Sequence, residues 1–298
     1  MKKTLVTGAT GFLGKYIVDD LSEKAIISSL SRTSGDYKLS LEIQIPDFKE
    51  SFDIVIHNAG KAHIVPKTFE EDQAFFQVNV QGTQNLLHGI ERSGRLPKSF
   101  IFISSVAVYG VDQGENINEN SPLLAKDSYG LSKIQAERLV LEWCQKHNVI
   151  YTILRLPLLV GENPPGNLGA MINAIKKGYY FNIADGEARK SMVLAKDVAK
   201  IILNVSEIGG IYNLTDGHNP NFYELSNVIA KRYGKIKIFN LPIFIAKFIA
   251  LLGDFVGSKF PLNSNKLKKL TSDLTFDDAK ARKVLGWKPN KVLNYYLI

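Results

Sequence analysis

Short apolar runs and longer periodic ones alternate through the first half of the chain. "KTLVTG" (3–8), "AIISSLS" (25–31), "LEIQI" (41–45), "FDIVIHNAG" (52–60) and "SFIFISSV" (99–106) have the length and apolar, β-rich content of strands. Several are apolar almost without alternation, the pattern of strands covered by helices on both faces. Between them, "GKYIVDDLSE" (14–23) and the stretch "EDQAFFQVNVQGTQNLLHGIERSG", closed by Gly94, repeat apolar residues at helical spacing. Further on, "SYGLSKIQAERLVLEWCQKH" (128–147) predicts a long helix and "VIYTILRLPLLVG" (149–161) the next strand. "KSMVLA" (190–195) and "GIYNLT" (210–215) add two short strands. This β–α–β order predicts an α/β fold with a doubly wound parallel sheet. Residues 162–189 and 216–298, rich in Pro, Gly, Asn and Lys, predict a smaller lobe interleaved with a sheet domain of 1–161 plus 190–215.

Composition sharpens this picture in three places. At 298 residues, 45% hydrophobic and 22% charged, the chain can bury a large core. The single cysteine, Cys144, rules out an internal disulfide framework and suits a reducing, cytoplasmic setting. The N-terminal "TLVTGATGFLG" lacks the apolar core and cleavage site of a signal peptide. One Cys and five scattered His offer no metal-ligand spacing.

Charge is unevenly spread. The net +8 is carried entirely from Lys235 onward, where 11 Lys and 1 Arg face 4 Asp and no Glu. Such a surface is either solvated or meets nucleic acid, an anionic membrane or a phosphorylated small molecule. Within it, "LPIFIAKFIALLGDFVGSKF" (241–260) is broken by Lys247 and Asp254, so it predicts one or two short amphipathic helices and no transmembrane span. Peripheral attachment to a membrane stays open.

The chemistry starts at "TGATGFLG" (7–14), between a predicted strand and helix. There Gly8 lets the chain leave the strand, Gly11 lets backbone approach a pyrophosphate, and Gly14 lets the helix pack on the sheet. The unpaired N–H groups of Phe12 and Leu13 face the anion. The spacing is G-x-x-G-x-x-G rather than the general G-x-G-x-x-G. Tyr129 and Lys133 stand four apart on one helix face. A free phenol ionises near pH ~10, so action as a base near neutrality needs a shift of roughly three units, about 4 kcal/mol. The Lys133 charge favours the phenolate. Ser104 and Ser105 end a parallel strand, at the edge where open α/β sheets bind ligands.

Together "TGATGFLG", "IHNAG", "NVQGT", "ISSVAVYG", "YGLSK" and "LRLPLLVG" resemble, in order, the motifs of extended short-chain dehydrogenases of the NAD-dependent epimerase/dehydratase family. "FDDAKARKVLGWKP" (276–289) is similar to that family's C-terminal signature. The resemblance implies a Rossmann-type fold, a homodimer without nucleic-acid partners, and Ser105, Tyr129 and Lys133 as the catalytic set. Tyr129 would exchange the hydroxyl proton while a hydride moves between sugar and nicotinamide. Lys133 would hold the nicotinamide ribose. Gly8, Gly11, Phe12, Leu13, Gly14, Asn58, Ala59, Gly60 and Pro157 would line the dinucleotide cleft. Val106, Asn167 and Leu168, with Arg189 or Lys190 at the diphosphate, would meet a nucleotide-diphosphate sugar. Asn79 is expected to brace the central helix and His57 to be packed, whereas His63 could reach substrate.

Dehydratases of the family carry an Asp-Glu pair just after the catalytic hydroxyl residue; here Val106 and Ala107 follow Ser105, which argues against 4,6-dehydration. A 4-epimerase with tightly held NAD(H) and a 4-ketoreductase using NADP(H) share the remaining chemistry. The second strand ends without an acid to bind the ribose 2′-OH of NAD, and Ser31 and Arg32 are available to a 2′-phosphate. Asp36 and Glu42 come later in the loop. The reading favours NADP(H) and a ketoreductase acting on a UDP-hexose or UDP-N-acetylhexosamine-type sugar, with the epimerase as alternative. A non-catalytic dinucleotide-binding protein is the third, although such relatives usually lose the Tyr or the Lys that this chain keeps.

Overall fold

In β1 (Lys2–Thr7) Leu5 and Val6 are both fully buried, yet they enter different cores. Successive side chains of a strand point to opposite faces, so an unbroken apolar run means helices on both sides. The computed structural model describes residues 1–62, 64–234, 238–256 and 262–297. After β1 come α1 (Phe12–Leu21), β2 (Ala25–Ser31), β3 (Tyr37–Lys38), β4 (Ile54–His57), α2 (Phe69–Phe76), α3 (Gly82–Arg92), β5 (Ser99–Ser105) and β6 (Gly114–Ile117). The middle of the chain forms α4 (Ser128–His147), β7 (Ile150–Leu156), β8 (Leu158–Val160), α5 (Gly166–Lys177), β9 (Phe181–Ile183), β10 (Met192–Leu194), α6 (Ala195–Ile208) and β11 (Gly210–Asn213). The end forms α7 (Phe222–Arg232), β12 (Phe239–Leu241), α8 (Ile243–Val256), α9 (Ser264–Thr271), β13 (Leu274–Phe276), α10 (Ala279–Leu285) and α11 (Val292–Leu297).

Seven strands form one parallel sheet in the order β11-β7-β5-β4-β1-β2-β3. One face packs Val6, Ile56, Ile101 and Leu154 under α1 and α6; the other packs Leu5, Val55, Phe100 and Phe102 under α3 and α4. The order reverses between β1 and β4, so the crevice opens beside their C-terminal ends. The doubly wound α/β fold read from the sequence is the one observed.

Two local readings change. The segment 41–45 is not a strand: Leu41 is buried while Ile43 and Ile45 are 76% and 40% exposed. Pro46 follows with no N–H to offer a ladder, and the segment instead lies over α3, where Asn85 donates to the Leu41 carbonyl at 2.7 Å. The run 149–161 is two strands, broken at Pro157; β8 leaves the main sheet and pairs with β10. A further core lies outside the main sheet, where α5, α7 and α11 close over Val160 of β8 and Met192 of β10.

Candidate active site

The turn after β1 is built for an anion. Gly8 adopts φ +65°, and a Cβ there would come within 2.8 Å of the Ala59 backbone, so only glycine brings β1 this close to β4. Gly11 caps α1 with no side chain, and α1 has no acid in its first turn. The N–H groups of Phe12 and Leu13 therefore keep their positive end for a ligand. Gly14 is buried behind them against Ala9. The Asn58 amide donates to the Gly8 carbonyl at 3.1 Å, which ties the end of β4 to the turn. These features fit the diphosphate of a dinucleotide.

Asp127 starts α4 by accepting from the Gly130 N–H at 2.9 Å, and Tyr129 falls in that first turn. Gly130 permits the approach to the loop after β5: a Cβ would stand 2.5 Å from Ala125 and 2.8 Å from the Ala107 carbonyl. The contact brings the Tyr129 phenol near the Ser105 hydroxyl, whose influence lowers the phenol's pKa. Ser105 also accepts from the Ala107 N–H at 3.2 Å. The tyrosine ring rests on Phe75 at 5.9 Å between centroids. Burial raises the phenol's pKa above its ordinary value, and Ser105 offsets part of that rise. Tyr129 is thus held as a protonated phenol.

One turn on, Lys133 is 5% exposed. Its ammonium donates to the Ile103 carbonyl at 2.7 Å and lies 4.0 Å from the Phe102 ring centre. Burial lowers its pKa to about 7, against the opposing pull of Glu137. The folded chain releases this proton near pH 7, whereas an unfolded lysine keeps it to ~10.4. The cost of burying the charge is complete below pH 7 and is relieved as pH rises towards 10. Lys133→Met is expected to raise the melting temperature at pH 6 and to flatten the gain in stability between pH 7 and 10. Scanning calorimetry across that range measures both.

His57 ends β4 at 1% exposure, packed as expected. The Thr83 hydroxyl donates to the Asn79 carbonyl at 2.7 Å, so it accepts from His57 Nε2–H at 2.8 Å. The Thr7 hydroxyl accepts from the Ala59 N–H at 3.1 Å and donates to His57 Nδ1 at 2.8 Å. Every proton in this run of hydrogen bonds is placed by its neighbours, and burial drives the imidazole's pKa down to about 3. Asn79 sits in a π-helical turn, Gln77–Gln81, between α2 and α3. Its side chain accepts from the Lys61 N–H at 2.7 Å and donates to the Ser132 hydroxyl at 2.9 Å. Asn79 therefore braces α4 and the loop after β4, as its sequence context suggested. His63 lies outside the described residues.

The other sequence-derived residues are placed unevenly. Asn58, Ala59 and Gly60 converge on the glycine turn, and Gly60 stands beside Asn79 with Lys133 next to it. Val106 and Pro157 are half-buried at the ends of β5 and β7. Arg32 is exposed just past β2 and faces Glu42 at 3.9 Å. Ser31, in contrast, is 7% exposed, and its hydroxyl donates to the Ser34 carbonyl at 2.5 Å. The tight loop after β2 uses that hydroxyl, which leaves Arg32 as the open group.

In the lobe, Asn167 is exposed on the first turn of α5, but the Leu168 side chain is closed into the core at 1% exposure. The Lys190 ammonium donates to the carbonyls of Lys269 and Ser272 at 2.9 and 2.8 Å. Arg189 is exposed and donates to the Asn219 carbonyl at 3.2 Å. A cavity of about 460 Å³ lined by Asp216, His218, Asp277, Asp278 and Arg282, among others, contains none of these residues.

One part of the site has no counterpart in the sequence reading. Glu137, one further turn along the Tyr129–Lys133 face, holds Arg155 of β7 in a two-pronged ion pair at 3.1 and 2.8 Å. Both are nearly sealed from water, at 2% and 3% exposure. Ser104 donates to Glu137 at 2.5 Å, and Arg155 reaches the Tyr109 hydroxyl at 3.2 Å. The available signals were a lone arginine in an apolar strand and a glutamate four residues after Lys133.

A doubly wound sheet with a glycine turn at one strand end, a serine at another and a Tyr–Lys helix between them defines a short-chain dehydrogenase/reductase. The sequence profile of the NAD dependent epimerase/dehydratase family matches residues 4–214, and the chain belongs to that family. Among curated relatives, an N-acetyl-α-D-glucosaminyl-diphospho-ditrans,octacis-undecaprenol 4-epimerase of Escherichia coli O157:H7 is 28% identical, over 93% of this chain and 87% of its own. The fold is shared with RMD from Pseudomonas aeruginosa complexed with NADPH (TM-score 0.76, 21% identity, 99% of this chain and 97% of that one). It is shared too with the UDP-glucose 4-epimerase of Thermus thermophilus in complex with NAD (TM-score 0.74, 22% identity, 99% of each chain). Among the described residues no helix is long and apolar enough to cross a membrane, and no group of His, Cys, Asp and Glu could hold a metal.

Proposed function

We propose that this chain is an NADPH-dependent reductase of a 4-keto sugar carried on a nucleoside diphosphate, of the UDP-hexose or UDP-N-acetylhexosamine type. The observation that carries the reading is the convergence of Tyr129, Ser105 and Lys133 where β5 and α4 meet. A nicotinamide dinucleotide supplies the hydride when bound. The chain's own part is to hold the substrate oxygen and give it a proton. Ser105 stands near the phenol and can bond the same substrate oxygen. Tyr129, kept protonated by burial, gives its proton to that oxygen as the C4–H bond forms. Lys133, one turn below, then favours the phenolate left behind. Gly8, Gly11 and the first turn of α1 would hold the dinucleotide diphosphate, and Lys133 the ribose beside the nicotinamide.

Arg32 supports NADPH. It is exposed at the end of β2; of the two carboxylates nearby, Glu42 lies 3.9 Å from its guanidinium and Asp36 is occupied by the N–H and hydroxyl of Ser29, both at 2.8 Å. Val106 and Ala107 put no acid or base beside Ser105, so no elimination of water is expected. A second reading, a 4-epimerase that retains NAD, is favoured by the activity named for the Escherichia coli relative, whose sugar diphosphate is linked to undecaprenol.

Arg32→Asp is expected to raise the KM for NADPH by about tenfold or more and to leave NADH less affected, since it replaces a phosphate partner by a repelling charge. Steady-state NADPH oxidation with a UDP-4-keto-hexose measures this. Protein that purifies with NAD bound, and turns over a UDP-sugar without added nicotinamide, would establish the epimerase instead.

A further inference from the structure

The helix α8 carries only two charges, Lys247 and Asp254, and is otherwise apolar on its outer as well as its inner side, a pattern that belongs in a core or a membrane rather than in water. Its inner stripe, Ala246, Ala250 and Gly253, is buried, with the two alanines in one cluster with Leu262 and with Leu267 of α9. The opposite stripe, Phe244, Phe248, Leu251 and Phe255, recurs at helical spacing and is exposed at 70%, 64%, 55% and 90%. With ~150–250 Å² on each aromatic side chain, its three phenylalanines alone show on the order of 450 Å². That matches the largest apolar patch of a typical monomer, ~300–600 Å², before the leucines are added.

The rim of this patch is basic. Lys247 is exposed beside Phe248, and α9 exposes Lys268 and Lys269, the last paired with Asp112 at 3.0 Å. The one acid of α8, Asp254, is turned to the start of α9, where it accepts from the Ser264 N–H and hydroxyl at 3.0 and 2.5 Å. We propose that α8, with the adjoining side of α9, docks the chain on an anionic lipid bilayer. Phe244, Phe248 and Phe255 enter the acyl boundary, and Lys247 and Lys268 meet headgroup phosphates. A second copy docked through the same face would bring two basic patches of like charge together, which an anionic surface does not. The face adjoins α9, whose Lys269 and Ser272 carbonyls accept from Lys190. The inference is independent of which reaction the active site performs.

Flotation of the full chain with phosphatidylglycerol-rich vesicles, set against pure phosphatidylcholine, tests it. Wild type is expected to float with the anionic vesicles and to release as salt is raised. The double substitution Phe248→Ser and Phe255→Ser, at two exposed positions, is expected to lower the bound fraction by about tenfold or more. Its mass by light scattering and its melting temperature should stay those of wild type. Wild type that does not float with anionic vesicles would overturn the proposal. So would a double variant that floats like wild type, or one whose loss of flotation comes with a smaller oligomeric mass, which would assign the face to a second copy.

Discussion

Tyr129→Phe is expected to lower kcat by about 10²–10⁴-fold, or about 3–5 kcal/mol of transition-state stabilisation. The substitution removes one oxygen and little else. The ring keeps its place on Phe75, Asp127 still caps α4, and Lys133 still donates to the Ile103 carbonyl. Dinucleotide affinity and melting temperature should therefore stay close to wild type, because neither depends on the phenol. Ser105→Ala should cost less, since the hydroxyl positions the proton but does not carry it. Stopped-flow NADPH oxidation separates the cases: a loss in the chemical step with unchanged binding is the expected result. If Tyr129→Phe retained a tenth or more of wild-type turnover, the proton would have to come from elsewhere. If it retained full function in vivo without turnover, the chain would be a dinucleotide-binding protein and no enzyme.

What the sequence shows and what it hides follow from range. The glycine turn, the Ser-ending strand and the Tyr–Lys pair are local: each needs only its neighbours, and each lies where its spacing and flanks place it. His57 and Asn79 were also readable, one as a polar residue ending an apolar strand and one inside a helical pattern. The failures are tertiary. "LEIQI" alternates like a strand, but Pro46 and the docking of Leu41 on α3 override the pattern. Ser31 and Lys190 are of the right type for phosphate, yet Ser34 and the end of α9 claim their polar atoms. For α8 the sequence left surface and membrane attachment open, because an apolar run does not say which of its sides the fold covers.

Glu137→Gln is expected to destabilise the fold by about 3–5 kcal/mol, because it strands the Arg155 guanidinium, 3% exposed, without its counter-charge. Tyr109 and the Glu119 carbonyl remain as neutral partners at 3.2 and 3.4 Å, too few to replace an ion pair. Removing both charges together, as Glu137→Leu with Arg155→Met, should recover most of that loss, since a buried pair contributes little beyond mutual compensation. Urea midpoints measure both variants. The catalytic consequence runs the other way. Glu137 is the group that holds the Lys133 pKa up against burial, so its loss lets that value fall below about 7. At neutral pH more of Lys133 is then uncharged, and the support for a developing phenolate weakens. The double variant should regain stability but not this charge. Its Lys133 titration, followed by ¹⁵N NMR of the amine, stays below that of wild type, and its activity at pH 7.5 falls more than at pH 6. A double variant with wild-type titration and activity would limit the pair to holding β7 against α4; the expected outcome makes Glu137 a positioning residue that acts on the reaction through Lys133.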